Sequence, residues 1–278
     1  MMTIDAHQHF WKFDPLRDAW IDDSMRILQR DFLPPELQTV LAENGVDGCI
    51  AVQADQSETE TLFLLDLAAQ FDFIKGVVGW VDLCAENIAG RLAYFAQFPK
   101  LKGFRHIVQG EADVNFMLRP AFRRGISLLE KHGFTYDILV FPHQLGAALE
   151  LVKSFPSQKF VVDHLAKPYI KDGFFEGWAV LMRELARCHN VWCKVSGLVT
   201  EVDWTNWKYE DFAPCLDLVF ETFGPQRLMF GSDWPVCLLG GSYRQVKGIV
   251  DRYLKPFSAQ EQAQVLGKNA LDFYNISI

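Results

Sequence analysis

The chain has no run of lysines and arginines, and its 27 basic residues against 35 acidic ones leave a net charge of −8. A surface of that sign offers no electrostatic footprint for DNA or RNA, so nucleic acid is not an expected partner. No stretch reaches the roughly 18 consecutive apolar residues that cross a bilayer. The opening residues also lack the basic segment and apolar run of a secretory signal. A cytoplasmic location without membrane contact is therefore expected. The six cysteines, Cys49, Cys84, Cys188, Cys193, Cys215 and Cys237, include no C-x-x-C pair. A chain of this size needs no covalent staples, which favours free and mostly buried thiols over three disulfides. Low-complexity tracts, linkers and close repeats are absent as well.

What the chain has is apolar residues, half of its 278, far more than a disordered chain carries. Short β-branched or aromatic runs at 3–9, 48–54, 74–81, 101–107, 135–140, 159–165, 191–197 and 227–233 predict eight strands. Several are continuous apolar runs, as expected of parallel strands covered on both faces. Helical patterns lie between them at 60–71 (stripe Leu62, Leu65, Ala69), 121–132, 144–155, 178–188, 212–223 and 242–253. Gly133, Pro156 and Gly224-Pro225 punctuate their ends, and Ser258-Ala259-Gln260-Glu261 reads as a capping box. Eight strand–helix units in this length predict an α/β (β/α)8 TIM barrel, one domain over 1–278. An open doubly wound sheet is the alternative if 74–81 or 135–140 is not a strand. The segment 10–35 after the first strand is unusually long for a βα loop and carries Trp11 and Trp20. It is either a functional lid or packing over the barrel mouth.

Three stretches carry chemistry. In Ile4-Asp5-Ala6-His7-Gln8-His9-Phe10, His7 and His9 are two apart on a strand and project to the same side. In Lys159-Phe160-Val161-Val162-Asp163-His164-Leu165-Ala166-Lys167-Pro168, His164 ends an apolar strand in phase with Val162. Asp163 is expected to face the opposite side and orient a neighbour. In Leu228-Met229-Phe230-Gly231-Ser232-Asp233-Trp234-Pro235, Asp233 follows a strand that Pro235 stops, with Gly231 leaving space. Read singly, these are a chance H-x-H, a core histidine and a helix-capping aspartate. Together, at the C-terminal ends of barrel strands, they form a candidate metal or acid–base site.

H-x-H on strand one, His ending strand six and Asp ending strand eight resemble the amidohydrolase superfamily. They are most similar to its Amidohydro_2 branch, and within it to the sugar-lactone hydrolases acting on L-fuconolactone and L-rhamnonolactone. The echoes run through the chain: Lys102-Gly103-Phe104-Arg105-His106, Cys193-Lys194-Val195-Ser196-Gly197-Leu198, Gly267-Lys268-Asn269-Ala270, and above all residues 223–235. Binuclear members of the superfamily carry a bridging ligand on strand four and a further His on strand five. Here those strands offer Arg105 and His106, then Tyr136 and Asp137, with His143 beyond the end. The resemblance thus implies at most one divalent ion, zinc for ligands His7, His9, His164 and Asp233. Metal-free catalysis is the alternative, since pyrone-dicarboxylate lactone hydrolases of this branch are thought to work without metal.

The expected function is hydrolysis of a neutral sugar lactone to its aldonic acid. Asp233 activates water, His164 and its neighbours polarise the carbonyl, and Arg105 or His106 steadies the oxyanion. Arg105 is the one inward arginine, too few for a dicarboxylate; Lys167 and Lys194 add point charges. Gln53, Trp80, Ser196, Trp204 and Trp207 are candidates for binding a hydroxylated ring. The rivals are a metal-dependent decarboxylase or amide hydrolase of the same superfamily, and a catalytically idle sugar-acid binder.

Overall fold

The computed structural model describes residues 2–277. Its eight strands are β1 (Ile4–Gln8), β2 (Gly48–Val52), β3 (Ile74–Gly79), β4 (Leu101–His106), β5 (Thr135–Ile138), β6 (Phe160–Val162), β7 (Val191–Val195) and β8 (Leu228–Phe230). They pair in sequence order, every neighbour parallel. A doubly wound sheet would reverse its order partway, so the unbroken order excludes it. The barrel closes through the segment after β8: Asp233 N donates to His7 O at 2.8 Å, and His9 N to Trp234 O at 2.7 Å. Asp5 bolts the same seam. Its carboxylate accepts from Ser232 N at 2.8 Å, His7 N at 3.1 Å and Tyr243 OH at 3.0 Å. Burial pushes the Asp5 carboxyl up to about 6, against the pull of those donors.

Gly231 is what lets the seam close. A Cβ there would lie 2.6 Å from His7 Cβ and 3.1 Å from Ser196 Cβ. Gly231→Ala is therefore expected to cost about 1–3 kcal/mol of stability through overpacking, read as a lower urea midpoint. An unchanged midpoint would mean that β1 and β8 can separate freely.

Helices α1 (Pro34–Glu43), α2 (Glu58–Gln70), α3 (Ile88–Phe95), α4 (Pro120–Leu129), α5 (Leu145–Ser154), α6 (Glu176–Ala186), α7 (Tyr209–Phe223) and α8 (Tyr243–Leu254) surround the sheet. Six lie where periodicity predicts them. The buried face of α2 is Thr61, Leu64, Leu65 and Ala68, with Leu62 turned outward at 39% exposure. The expected Leu62–Leu65–Ala69 stripe is thus rotated. Ile4, Ala6, Ile50, Val52, Val78, Val161 and Met229 fill the barrel together with Ala270, Leu271, Phe273 and Tyr274 from the C-terminal segment. That segment plugs the end opposite the site: Lys102 Nζ and Lys159 Nζ, near the strand starts, donate to carbonyls of Asn275 and Asp272. Among the described residues all six cysteines are free, and no helix is long and apolar enough to cross a membrane.

Candidate functional site

At the C-terminal strand ends lies a cavity of about 300 Å³, lined by His9, Arg105, His164, Lys167 and Asp233, with Trp11 and Trp20 from the 10–35 segment. His7 and His9, on and just after β1, have ring centroids 5.0 Å apart and Nε2 atoms 3.2 Å apart. His9 Nδ1 lies 2.8 Å from Val52 O, which can only accept, so Nδ1 carries a proton, and Nε2 faces Asp233. His7 Nε2 lies 3.2 Å from Arg105 Nη1, while its Nδ1 lies 3.3 Å from Asp163 Oδ1 and 3.2 Å from Lys194 Nζ. His164 Nδ1 meets Ser196 Oγ at 2.9 Å. Asp233 Oδ1 then stands 3.4 Å from His9 Nε2 and 3.9 Å from Nε2 of both His7 and His164.

This donor set fits a divalent cation. Burial holds His7 and His164 well below their ordinary pKa, hence neutral. Burial alone would raise the Asp233 carboxyl, but the polar groups around it, Lys167 among them, hold it below the ordinary carboxylate value. Two neutral imidazoles therefore stand beside an ionised carboxylate, each able to offer a nitrogen lone pair to a cation. His7, His164 and Asp233 each present a ligand atom within 4.8 Å of the others. A tetrahedral zinc site with bonds of roughly 2.0–2.1 Å separates its ligand atoms by about 3.3 Å, close to the 3.2–3.9 Å spacings found here.

Backbone geometry explains how these side chains converge. After Val162 the chain turns left-handed for four residues, His164 to Lys167, with φ between 51° and 55°. Each such non-glycine residue costs about 1–2 kcal/mol. Packing and hydrogen bonds hold them: Trp178 Nε1 donates to Leu165 O at 2.6 Å, and Lys167 N to His164 O at 2.7 Å. Gly197 makes room for the His164 ring, since a Cβ there would sit 2.6 Å from Nδ1. The turn also breaks strand alternation. Asp163, expected to face away, points inward to His7, Arg105 and Lys194. Burial would raise its carboxyl, but Lys194, His7 and Arg105 pull it well below the usual carboxylate range.

Of the residues the sequence singles out, His9, Arg105, His164, Lys167 and Asp233 reach the cavity, and His7 lies buried against them. Gln53 braces Arg105, its carbonyl and Oε1 accepting from Nη2 and its Nε2 donating to Arg105 O. Ser196 orients His164. Five candidates are not brought there. Arg105 faces inward, so its neighbour His106 faces outward: it stacks on Phe116 at 4.7 Å, meets Glu111 at 2.7 Å and accepts from Trp80 Nε1 at 3.3 Å. Trp80 is thus committed outside the cavity too. Trp204 Nε1 is spent on Thr200 O and Trp207 Nε1 on Gly240 O. Lys194, expected to touch substrate, is fully buried below His7, with Nζ 2.5 Å from Asp137 and 3.0 Å from Asp163. A further cavity of about 350 Å³ behind Trp11 and Ala54, lined by Arg17, Asp18 and Glu60, receives none of the imidazoles.

The chain is similar to known proteins over nearly its whole length. The amidohydrolase family model Amidohydro_2 matches residues 4–276. An L-fucono-1,5-lactonase of Burkholderia multivorans is 40% identical, over 98% of this chain and 96% of its own. An L-fucono-1,5-lactonase of Burkholderia ambifaria is 37% identical, over 98% and 95%. An amidohydrolase from Burkholderia multivorans, solved with bound zinc, superimposes with a TM-score of 0.96 at 40% identity, each chain covered in full.

Proposed function

The chain belongs to the Amidohydro_2 family of amidohydrolases, and from that premise we propose that it opens an L-fucono-1,5-lactone-like ring to the aldonic acid. It is a hydrolase of sugar lactones. The observation that carries the residue roles is the convergence of one ionised carboxylate, three imidazoles and one braced guanidinium at one end of the barrel. Asp233 accepts a proton from water as the water oxygen bonds to the lactone carbonyl carbon. Negative charge develops on the carbonyl oxygen. Arg105 sets its positive charge beside it from a position fixed by Gln53 and Asp163, so little reorganisation is needed in the transition state. His9 and His164 bound the same oxygen's site. Collapse breaks the bond to the ring oxygen, which takes the proton back from Asp233, and the new carboxylic acid ionises to solvent. Lys167, held near Glu201 at 3.5 Å, offers a donor to ring hydroxyls. Trp11 and Trp20 give the cavity an apolar wall.

His7, His9, His164 and Asp233 would hold a divalent ion, which supplies Lewis acidity toward a carbonyl and acidifies water when bound. Zinc loading, desalting and elemental analysis are expected to leave about one ion per chain. His164→Ala should retain well under that. No retention by the wild-type protein would remove the ion from the site. Turnover before and after chelation then separates the metal-assisted from the metal-free course.

The reaction class is tested on a panel of sugar lactones in an unbuffered proton-release assay. Proton release without CO₂ or amine is expected. Release of CO₂ or amine from the corresponding acids or amides, or lactone binding without turnover, would overturn the reading.

A further inference from the structure

Glu60, in the first turn of α2, reaches back over the loop that joins β2 to that helix. Its Oε1 accepts from Ala54 N at 2.9 Å and its Oε2 from Asp55 N. The loop held in this way braces the site. Gln53, which opens it, clamps Arg105 through its carbonyl and its side-chain amide. Gln56 Oε1 accepts from Ile107 N at 2.8 Å and ties the same loop to the end of β4. Glu60 itself lines the neighbouring cavity of about 350 Å³, not the reaction cavity, so its influence on turnover passes through the loop. The charged groups around it are Lys12, Arg17 and Asp18 from the 10–35 segment and Asp55 from its own loop. Burial pushes the Glu60 carboxyl up to about 8, against the pull of the two amides and of Arg17. Once ionised, a carboxylate offers two full acceptors, whereas the protonated form keeps one carbonyl oxygen and turns the other into a donor.

We propose that Glu60 is a positioning residue of the catalytic site: by holding the amides of Ala54 and Asp55 together, its carboxylate fixes the Gln53 carbonyl against which Arg105 is set. The assignment rests on the part given to Arg105 in the lactonase reading above. A guanidinium that must stand beside a developing charge loses its effect when its support shifts by a fraction of an ångström.

The test is a double-mutant cycle on a sugar lactone: kcat and KM of wild type, Glu60→Gln, Arg105→Met and the pair, at pH 6.5 and pH 9, with a thermal melt of each. Glutamine keeps the shape and one acceptor but does not ionise, so it copies the protonated carboxyl. At pH 9, Glu60→Gln is expected to lose about ten- to a hundredfold in kcat, with KM within about threefold of wild type. At pH 6.5, where Glu60 of the wild type is itself protonated, the two should agree within about threefold. On the Arg105→Met background the Glu60→Gln loss should vanish at both pH values. Thr61→Val is the control for a loosened helix. It cuts the bonds of α2 to Trp80 N at 2.7 Å and Trp80 O at 2.8 Å, and should lower the melting temperature without the pH-dependent loss. Wild-type kcat in Glu60→Gln at pH 9, an equal loss at both pH values, a loss that multiplies with that of Arg105→Met, or the same profile in Thr61→Val would each overturn the proposal. Wild-type turnover by Arg105→Met would instead remove Arg105 from the mechanism, and turnover of no lactone by wild type would sink the lactonase reading. Either takes this assignment with it.

Discussion

Asp233→Asn is expected to lower turnover of a sugar lactone by at least about a thousandfold while leaving the barrel folded. The substitution keeps shape and removes the carboxylate proposed to take the proton from water. Removal of a positioned base costs about 10²–10⁴-fold, and here the same carboxyl also returns the proton to the ring oxygen, so both halves of the reaction suffer. The fold is spared for a backbone reason. Asp233 has φ of 59°, in the left-handed region that asparagine tolerates as well as aspartate does. Its main chain still bonds His7 O and receives Cys237 N at 2.9 Å. Initial rates in a proton-release assay, with circular dichroism and a thermal melt on the same sample, check this. A folded Asp233→Asn within tenfold of wild type would remove Asp233 as the base.

Much of this was legible from residue patterns, and the failures have a common cause. Eight strands follow from apolar runs, because parallel strands covered on both faces must be apolar. Even the weak ones, β3 and β5, pair on both sides. Helix α1 was hidden because Pro34-Pro35 reads as the end of a loop, whereas proline fits a first helical turn. Helix α3 is eight residues long with Gly90 inside it, too short and too weak a pattern to register. At the site, His7, His9, His164 and Asp233 were legible because each stands at a strand end. What alternation could not supply is where a strand stops: β6 ends at Val162, and the left-handed turn after it brings Asp163 inward beside His164. Depth along the barrel is equally invisible. Lys194 has the inward phase of a substrate ligand but lies beneath the imidazoles.

Lys194→Met is expected to destabilise the protein by about 3–5 kcal/mol, the cost of breaking a buried ion pair from one side. That corresponds to a melting temperature lower by roughly 6–15 °C. Lys194, Asp137 and Asp163 are all fully buried, and Lys194 Nζ is the cation that faces both carboxylates, with His7 Nδ1 at 3.2 Å. Tyr274 OH donates to Asp137 at 2.7 Å, but a neutral hydroxyl does not balance a second charge. Arg105 reaches only Asp163. Methionine fills much of the lysine volume, so the loss is electrostatic, not a cavity effect. Two further measurements separate charge from packing. Lys194→Met with Asp137→Asn should recover a good part of the loss, because it removes the orphaned charge along with its partner. The deficit should also depend on pH. Burial already holds Asp137 above the ordinary carboxylate range against the pull of Lys194. A carboxyl whose folded pKa exceeds its unfolded value favours folding while protonated and loses that contribution as pH rises through the folded pKa. Without Lys194 the folded pKa of Asp137 rises further, so the variant should fall short of wild type most at pH 8 and least at pH 5. A deficit that is the same at both values, and untouched by Asp137→Asn, would show that Lys194 acts by packing alone.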